Sequence, residues 1–327
     1  MHQASRRQHL QSILLELQER DNRRQELASY PRIAQESERA APQHPIFDGF
    51  VADGGADAIV RLTNFTPREI NTLWASVRGH VARYWNVGRG RRSKFTGKDV
   101  MFMMLVVLKN GGTWEMLSII FHVKTPTFIK TTTSFIRAVV PRLYDDWVSE
   151  KAQEENMRKL VTSGHTFVHH PYALYATDVT FQHANRPAGS MTEALPFYSA
   201  KHKLYGYKVE VSVSPRGFAI NCTVRARGNT ADITIFRRNE AFHHTTHRKT
   251  DDDRTLQDSG LLSREFPDEW AVLGYQGIEQ HVRCIHPTKG TNLPADIVRQ
   301  NADISSDSII VENWFGRLCG LWRICAD

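Results

Sequence analysis

The sequence predicts an all-helical region followed by a mixed α/β domain. Two observations carry this. Helix-capping signals and helical spacing of apolar residues run from Thr66 to Ile136. From about Tyr172 the apolar residues change to period two, and short apolar runs then alternate with helical segments, the order expected of a mixed sheet.

The bulk properties allow such a chain. It has 327 residues, of which 41% are hydrophobic and 24% charged, enough to bury a real core. The longest apolar run, VMFMMLVVL at 100–108, is about half the roughly 18 residues that cross a bilayer, so no membrane span is expected. The N-terminus, MHQASRRQHLQ, lacks the apolar core of a secretory signal. Cys222, Cys284, Cys319 and Cys325 are scattered with no CxxC pair, which fits free thiols rather than a cysteine zinc site. A net charge of +7 favours a polyanionic partner, because each neutralised phosphate releases counterions. The charge is concentrated in RGRRSK at 89–94, which includes Arg91 and Arg92, and in a second group of Lys201, His202, Lys203 and Lys208. Either group taken alone is equally readable as a solvated basic loop.

Taken in order, residues 1–41 are highly charged, with Leu10, Ile13, Leu14 and Leu17 forming one apolar stripe of an amphipathic helix. The Pro/Gly-punctuated stretch 42–58 reads as a linker, so 1–58 is a first region. Thr66-Pro67-Arg68-Glu69 is a capping box, and it opens a helix with Ile70, Leu73, Trp74 and Val77 on one face. A buried helix at about 99–109 ends at Gly111-Gly112. Thr113 caps a short helix, and Thr125-Pro126 starts another after a tight turn. This layout within 59–150 is that of a helix-turn-helix, with Thr127, Lys130, Thr131, Thr132 and Thr133 expected to be partly exposed on the second helix. Lys130 and Thr131 suit phosphate and groove contact, although Thr-rich exposed helices also occur with no ligand.

The run 173–178 (ALYATD) reads as a strand ending in an acid. Asp178 there either caps the following loop or faces something positive. The run 204–213 alternates, with Tyr205, Tyr207, Val209, Val211 and Val213 on one face. Pro215-Arg216-Gly217 turns it into a strand at 218–224, an antiparallel hairpin. A helix at 233–242, an exposed polar loop at 245–258, strands at 270–273 and 282–285 and a closing helix at 308–323 complete the chain. Glu312 interrupts the apolar stripe of that helix, so it either reaches solvent sideways or points into a charged site. His243, His244 and His247 have helical metal-ligand spacing but adjoin the polar loop, which favours a solvated cluster. No GxSxG elbow, Walker or dinucleotide-binding glycine pattern is present.

Four segments, TDVTFQ at 177–182, YSAKHKLYGYKVEVSVSPRG at 198–217, GNTADITIF at 228–236 and VENWFGRLCGLW at 311–322, together resemble the DDE superfamily endonuclease domain, and within it the PIF/Harbinger-like transposases. The resemblance covers about 172–327, and the preceding helical block is similar to the helix-turn-helix segment of such transposases. It implies a ribonuclease-H-like fold, with a mixed sheet that includes the antiparallel hairpin and with flanking helices. It also implies a divalent-metal-dependent endonuclease and strand transferase acting on transposon ends and target DNA in the nucleus. The metal would be Mg2+ or Mn2+, held as a two-ion site by three carboxylates. By the resemblance, Asp178 matches the first acid and Glu312 the last, while Asp232 in GNTAD matches a further acid of less defined role. Lys201 and His202 match a basic pair near the substrate phosphate, beside Lys203.

The chain departs from the pattern in two places. Relatives carry an Asp in a segment such as Ala-Asp-Lys-Gly-Tyr, whereas here Leu273 runs straight into Gly274-Tyr275. The domain also reads as truncated at its C-terminus. Both departures fit a decayed copy, a domesticated derivative or a misplaced splice boundary. The expectation is therefore weak metal binding with impaired cleavage. The alternatives are a catalytically inactive DNA-binding or regulatory protein, or an oligomerising partner for an active relative, built on residues 1–41.

Overall fold

A computed structural model of the chain describes residues 43–90 and 92–326. The amphipathic stripe of Leu10, Ile13, Leu14 and Leu17, and the candidate Arg91, lie outside the described residues. From His44 onward the chain forms one compact unit.

Its first part is a helical block. Helix α1 (Pro45–Thr63) occupies most of the stretch expected to be a linker, which corrects that reading. Pro45 sits where a helix needs no N–H donor. The carboxylate of Asp99 accepts from the amides of Ile46 (3.1 Å) and Phe47 (3.0 Å), which supplies the cap that the sequence lacks locally. Gly55 takes φ 69°, so it bends the helix without ending it. Helix α2 (Pro67–Tyr84) begins with the expected Thr66–Glu69 capping box. Helix α3 (Gly97–Asn110) is buried from Lys98 through Val107 and stops at Gly111. Helix α4 (Trp114–Ile120), capped by Thr113, turns into α5 (Thr125–Tyr144). Phe102, Phe121, Phe128 and Phe135 fill the centre of the block.

After α5 the helix widens to a π turn at Asp145–Ser149 and continues as α6 (Glu150–Glu154), followed by α7 (Met157–Thr162). The Tyr144 hydroxyl accepts hydrogen bonds from the Asn221 side chain (3.3 Å) and the Cys222 amide (3.4 Å), which docks the end of α5 on the sheet.

The sheet starts with β1 (Ala173–His183), followed by the short α8 (Met191–Ala194), β2 (Tyr198–Ser199), β3 (Leu204–Val213), β4 (Ala219–Cys222) and β5 (Ala226–Arg227). Helices α9 (Asp232–Arg238) and α10 (Glu240–Thr246) come next, then β6 (Ala271–Leu273), β7 (Cys284–Ile285) and the 27-residue α11 (Ala295–Leu321). The strand order is β2-β3-β1-β6-β7, with β4 and β5 also on β3. Strand β3 is antiparallel to β1, whereas β6 and β7 run parallel to it. The hairpin at 204–224 is thus present, as is a mixed sheet with helices on its faces.

Helix α11 packs Ile304 and Val311 against Ala176, Val211 and Val213 on one face. The other face packs Leu174, Tyr175 and Val272 against α7, with Phe236, Ile278 and Val282 beside them. Among the described residues no helix is long and apolar enough to cross a membrane. All four cysteines are free.

Candidate active site

Strand β1 does not end at Asp178, as the sequence suggested, but runs five residues further. The reason is its partner: Asp178 through His183 pair in register with Val211 through Gly206 of β3. On its other side β1 loses its neighbour, because β6 stops at Leu273 opposite Ala176. Residues 173–177 are buried, and Asp178 is the first residue of the strand that solvent reaches. Its carboxylate therefore emerges where the core opens, on the α11 face that it shares with Ala176 and Val211.

Two more carboxylates approach it. Glu312 follows the buried Val311 on α11 and is itself exposed. Asp232 is the first residue of α9. The Asp178 carboxyl is held above its ordinary value. Desolvation is the largest cause, the Asp232 and Glu312 charges add to it, and the Val179 amide and Lys201 oppose it. Its side chain remains accessible, so this is the desolvation of a crowded position, not a sealed one. Lys208 pairs with Asp232 at 2.7 Å and also donates to the Thr230 carbonyl at 3.0 Å, so Asp232 is partly neutralised from below.

The basic group divides. Lys201 is exposed and near enough to Asp178 to draw its carboxyl down. The His202 ring stacks on Phe181 with centroids 4.6 Å apart. Lys203 is exposed, with backbone φ 56°.

The acid that the resemblance places before the Gly-Tyr pair is absent, because β6 ends at Leu273 and runs straight into Gly274 and then Tyr275. The Tyr275 hydroxyl donates to Glu210 Oε2 at 2.9 Å and lies 3.3 Å from the Asp232 carbonyl. Burial and the Glu210 charge push the phenol far above its ordinary range, so it stays neutral. An acid at Gly274 itself would require the Ile278 side chain to move. A Cβ there would stand 2.6 Å from Ile278 Cδ1 and 3.1 Å from Cys284 Sγ.

Tyr275 leads into a buried polar network that sequence reasoning missed. Glu210, 0% exposed, accepts from Asn239 (2.7 Å) and contacts His243 Nε2 (3.0 Å), while His243 Nδ1 lies 2.8 Å from the Tyr175 hydroxyl. The signal was present. Alternation along β3 puts Lys208, Glu210 and Ser212 together on the face opposite the valines, and all three are buried. The histidine expectation is corrected at the same point: His243 and His247 are both 0% exposed, and only His244 is at the surface. Helices α9 and α10 fold these rings inward against Phe236, whose centroid is 4.3 Å from that of His243.

The helical block carries a second feature. An open cavity of about 1000 Å³ is lined by Arg89, Arg92 and Lys94 from the basic loop and by Lys124, Lys130 and Thr131 from α5 and the turn before it. The two basic elements of this region thus meet at one cavity. Thr127 and Lys130 are exposed, but Thr131 and Thr132 are buried, because the α5 face they occupy packs into the core beside Phe128 and Phe135. Thr131 is therefore a wall of the cavity and not a projecting side chain.

No curated protein and no solved structure matches the chain. A family does: residues 176–327, which include Asp178, Asp232, Tyr275 and Glu312, match the model of the DDE superfamily endonuclease.

Proposed function

We propose that the protein is a transposase-derived DNA-binding protein of the PIF/Harbinger-like group, with a ribonuclease-H-like endonuclease site impaired by the loss of one acid. The observation that carries this reading is the approach of Asp178, Asp232 and Glu312 from a strand and two helices, near enough that both neighbours raise the Asp178 carboxyl. Lys208 engages Asp232 and Lys201 lies near Asp178, but these cations do not cancel the mutual repulsion that Asp178 feels, which leaves room for a further counter-ion. The antiparallel β3 beside the parallel β1, β6 and β7 supports the fold assignment.

The donors fit one divalent ion better than two. Asp178 and Glu312 offer the oxygen ligands that Mg2+ or Mn2+ takes. Asp232 Oδ1 is engaged by Lys208, and Tyr275 brings a neutral hydroxyl already committed to Glu210. When bound, such an ion polarises a phosphodiester and acidifies water. Lys201 holds a phosphate beside the acids, and the cavity lined by Arg89, Arg92 and Lys130 holds the DNA backbone. On this reading the protein acts in the nucleus on transposon ends and target DNA, and it self-associates.

The missing acid before Gly274 and the Lys208–Asp232 pair favour one alternative, a DNA-binding or regulatory protein that cleaves nothing. Supercoiled-plasmid nicking in Mn2+, run beside salt-dependent DNA binding, tests both readings. Salt-sensitive DNA binding is expected, with nicking at the detection limit. Strong nicking that disappears in Asp178→Asn would overturn the impaired site, and absence of DNA binding would overturn the whole reading.

A further inference from the structure

Away from the acids, at the start of β6, three potential metal ligands stand together. His244 and His247 lie at the end of α10, and Glu269 pairs with Arg248 in an antiparallel bridge just before β6. One ligand atom from each of the three lies within 4.8 Å of the other two, and no other such trio occurs among the described residues.

The geometry of His247 makes this more than proximity. Its Nδ1 is hydrogen-bonded to the His243 carbonyl. A carbonyl only accepts, so Nδ1 carries the proton and Nε2 of the neutral ring presents a lone pair. That Nε2 is buried, lies 3.0 Å from Glu269 Oε2 and has no partner in hydrogen-bond geometry. Two electron-rich atoms facing each other at this distance require a positive charge between them. An Nδ1–H donated to a carbonyl is also how ligating histidines fix their tautomer and aim Nε2 at a metal.

The third ligand can complete the set. His244 is exposed, and its Nε2 rests 3.4 Å from Glu240 Oε1, a carboxylate shared with His281 at 3.1 Å. Ligands of a tetrahedral zinc ion stand about 3.3 Å apart, so the His247–Glu269 separation is near that value and only the exposed His244 ring must adjust. Two imidazoles and a carboxylate suit zinc-class ions, whereas magnesium prefers oxygen alone.

We propose that His244, His247 and Glu269 bind one zinc-class transition-metal ion that ties the end of α10 to the segment entering β6. The backbone already joins these segments, through the Trp270 amide donating to the His247 carbonyl at 2.7 Å. The ion adds a cross-link between residues 22 or more positions apart in sequence. It is independent of the carboxylate site at the other end of β6.

The test is Co2+ titration of the full chain, stripped with chelator and carrying Cys319→Ser so that the exposed thiol does not contribute. One equivalent of Co2+ is expected to give the intense visible bands of a four-coordinate ion, displaced by Zn2+. His244→Gln, at an exposed position, and the isosteric Glu269→Gln should each weaken binding at least about tenfold, while Asp178→Asn leaves it unchanged. Bands that survive both ligand variants, or that vanish in Asp178→Asn, overturn the assignment. So does an absence of bands, which would mean that a proton on His247 Nε2 supplies the charge.

Discussion

The two ends of β6 hold carboxylates under opposite conditions. Near its start, Asp258 meets the guanidinium of Arg283 with both oxygens, at 2.5 and 3.1 Å, and the ammonium of Lys249 at 2.7 Å. Arg283 is 0% exposed, and it also donates to the Leu261 and Glu269 carbonyls. Burial alone would raise the Asp258 carboxyl, but these bonds outweigh it and pull the group down to about 2. At the other end, Asp178 faces Asp232 and Glu312, and its carboxyl is raised. The same residue type thus shifts in opposite directions across a three-residue strand. A cluster whose charges are matched internally holds the fold together. At Asp178 desolvation and the Asp232 and Glu312 charges outweigh what the Val179 amide and Lys201 offer, so the group costs stability, as groups at ligand sites often do.

Breaking the matched cluster should have the largest effect. Asp258→Ala leaves Arg283 buried without its counter-charge, and we expect a loss of about 3–5 kcal/mol in denaturant unfolding. The pH dependence has a definite sign. A carboxyl lowered from 3.8 to about 2 on folding contributes stability that is full above pH 4 and is lost as the pH falls towards 2. Thermal midpoints of the parent should therefore fall over that interval, and those of Asp258→Asn should fall less.

A smaller loss is expected in the network beneath the acids. Glu210→Gln keeps the shape but presents an amide N–H2 to groups that now donate to the carboxylate, Asn239 Nδ2 and the Tyr275 hydroxyl. One donor then faces another in a buried place, at a cost of about 2 kcal/mol. If Glu210→Gln unfolds at the same denaturant concentration as the parent, the network is not held by that carboxylate.

What the sequence revealed follows the range of each signal. The caps at Thr66 and Thr113, the glycine stop after α3 and the alternation of β3 are set by residues within one turn or one strand, and each was legible. Helix α1 was not, because its cap comes from Asp99, about fifty residues away, and its glycines and Pro45 mimic a linker. Asp178 and Glu312 stood out as acids in apolar runs. Glu210 did not, since its face of β3 reads as solvent-facing until α9 and α10 cover it. His243 and His247 read as solvated for the same reason: their neighbours in sequence are polar, but in space His243 packs on Tyr175, Phe236 and Glu210, and His247 lies against the His243 carbonyl and Glu269.

The cluster around Asp178 should respond least, and in the opposite direction. An acid whose carboxyl is raised on folding detracts from stability once the pH exceeds its unfolded value of 3.8, and the penalty grows until the folded group is fully ionised. Asp178→Asn removes the charge and should raise the thermal midpoint at neutral pH. The side chain is accessible, so solvent screening limits the gain to about 1–3 °C. In acid the parent carboxyl is protonated in both states, and the advantage should vanish. Added Mn2+ separates this electrostatic relief from ordinary repacking. An ion held by Asp178 and Glu312 stabilises the parent by mass action and cannot stabilise the variant equally, so the two midpoints should converge or cross as Mn2+ rises. Parallel curves at every Mn2+ concentration would show that the acids repel one another without holding a cation.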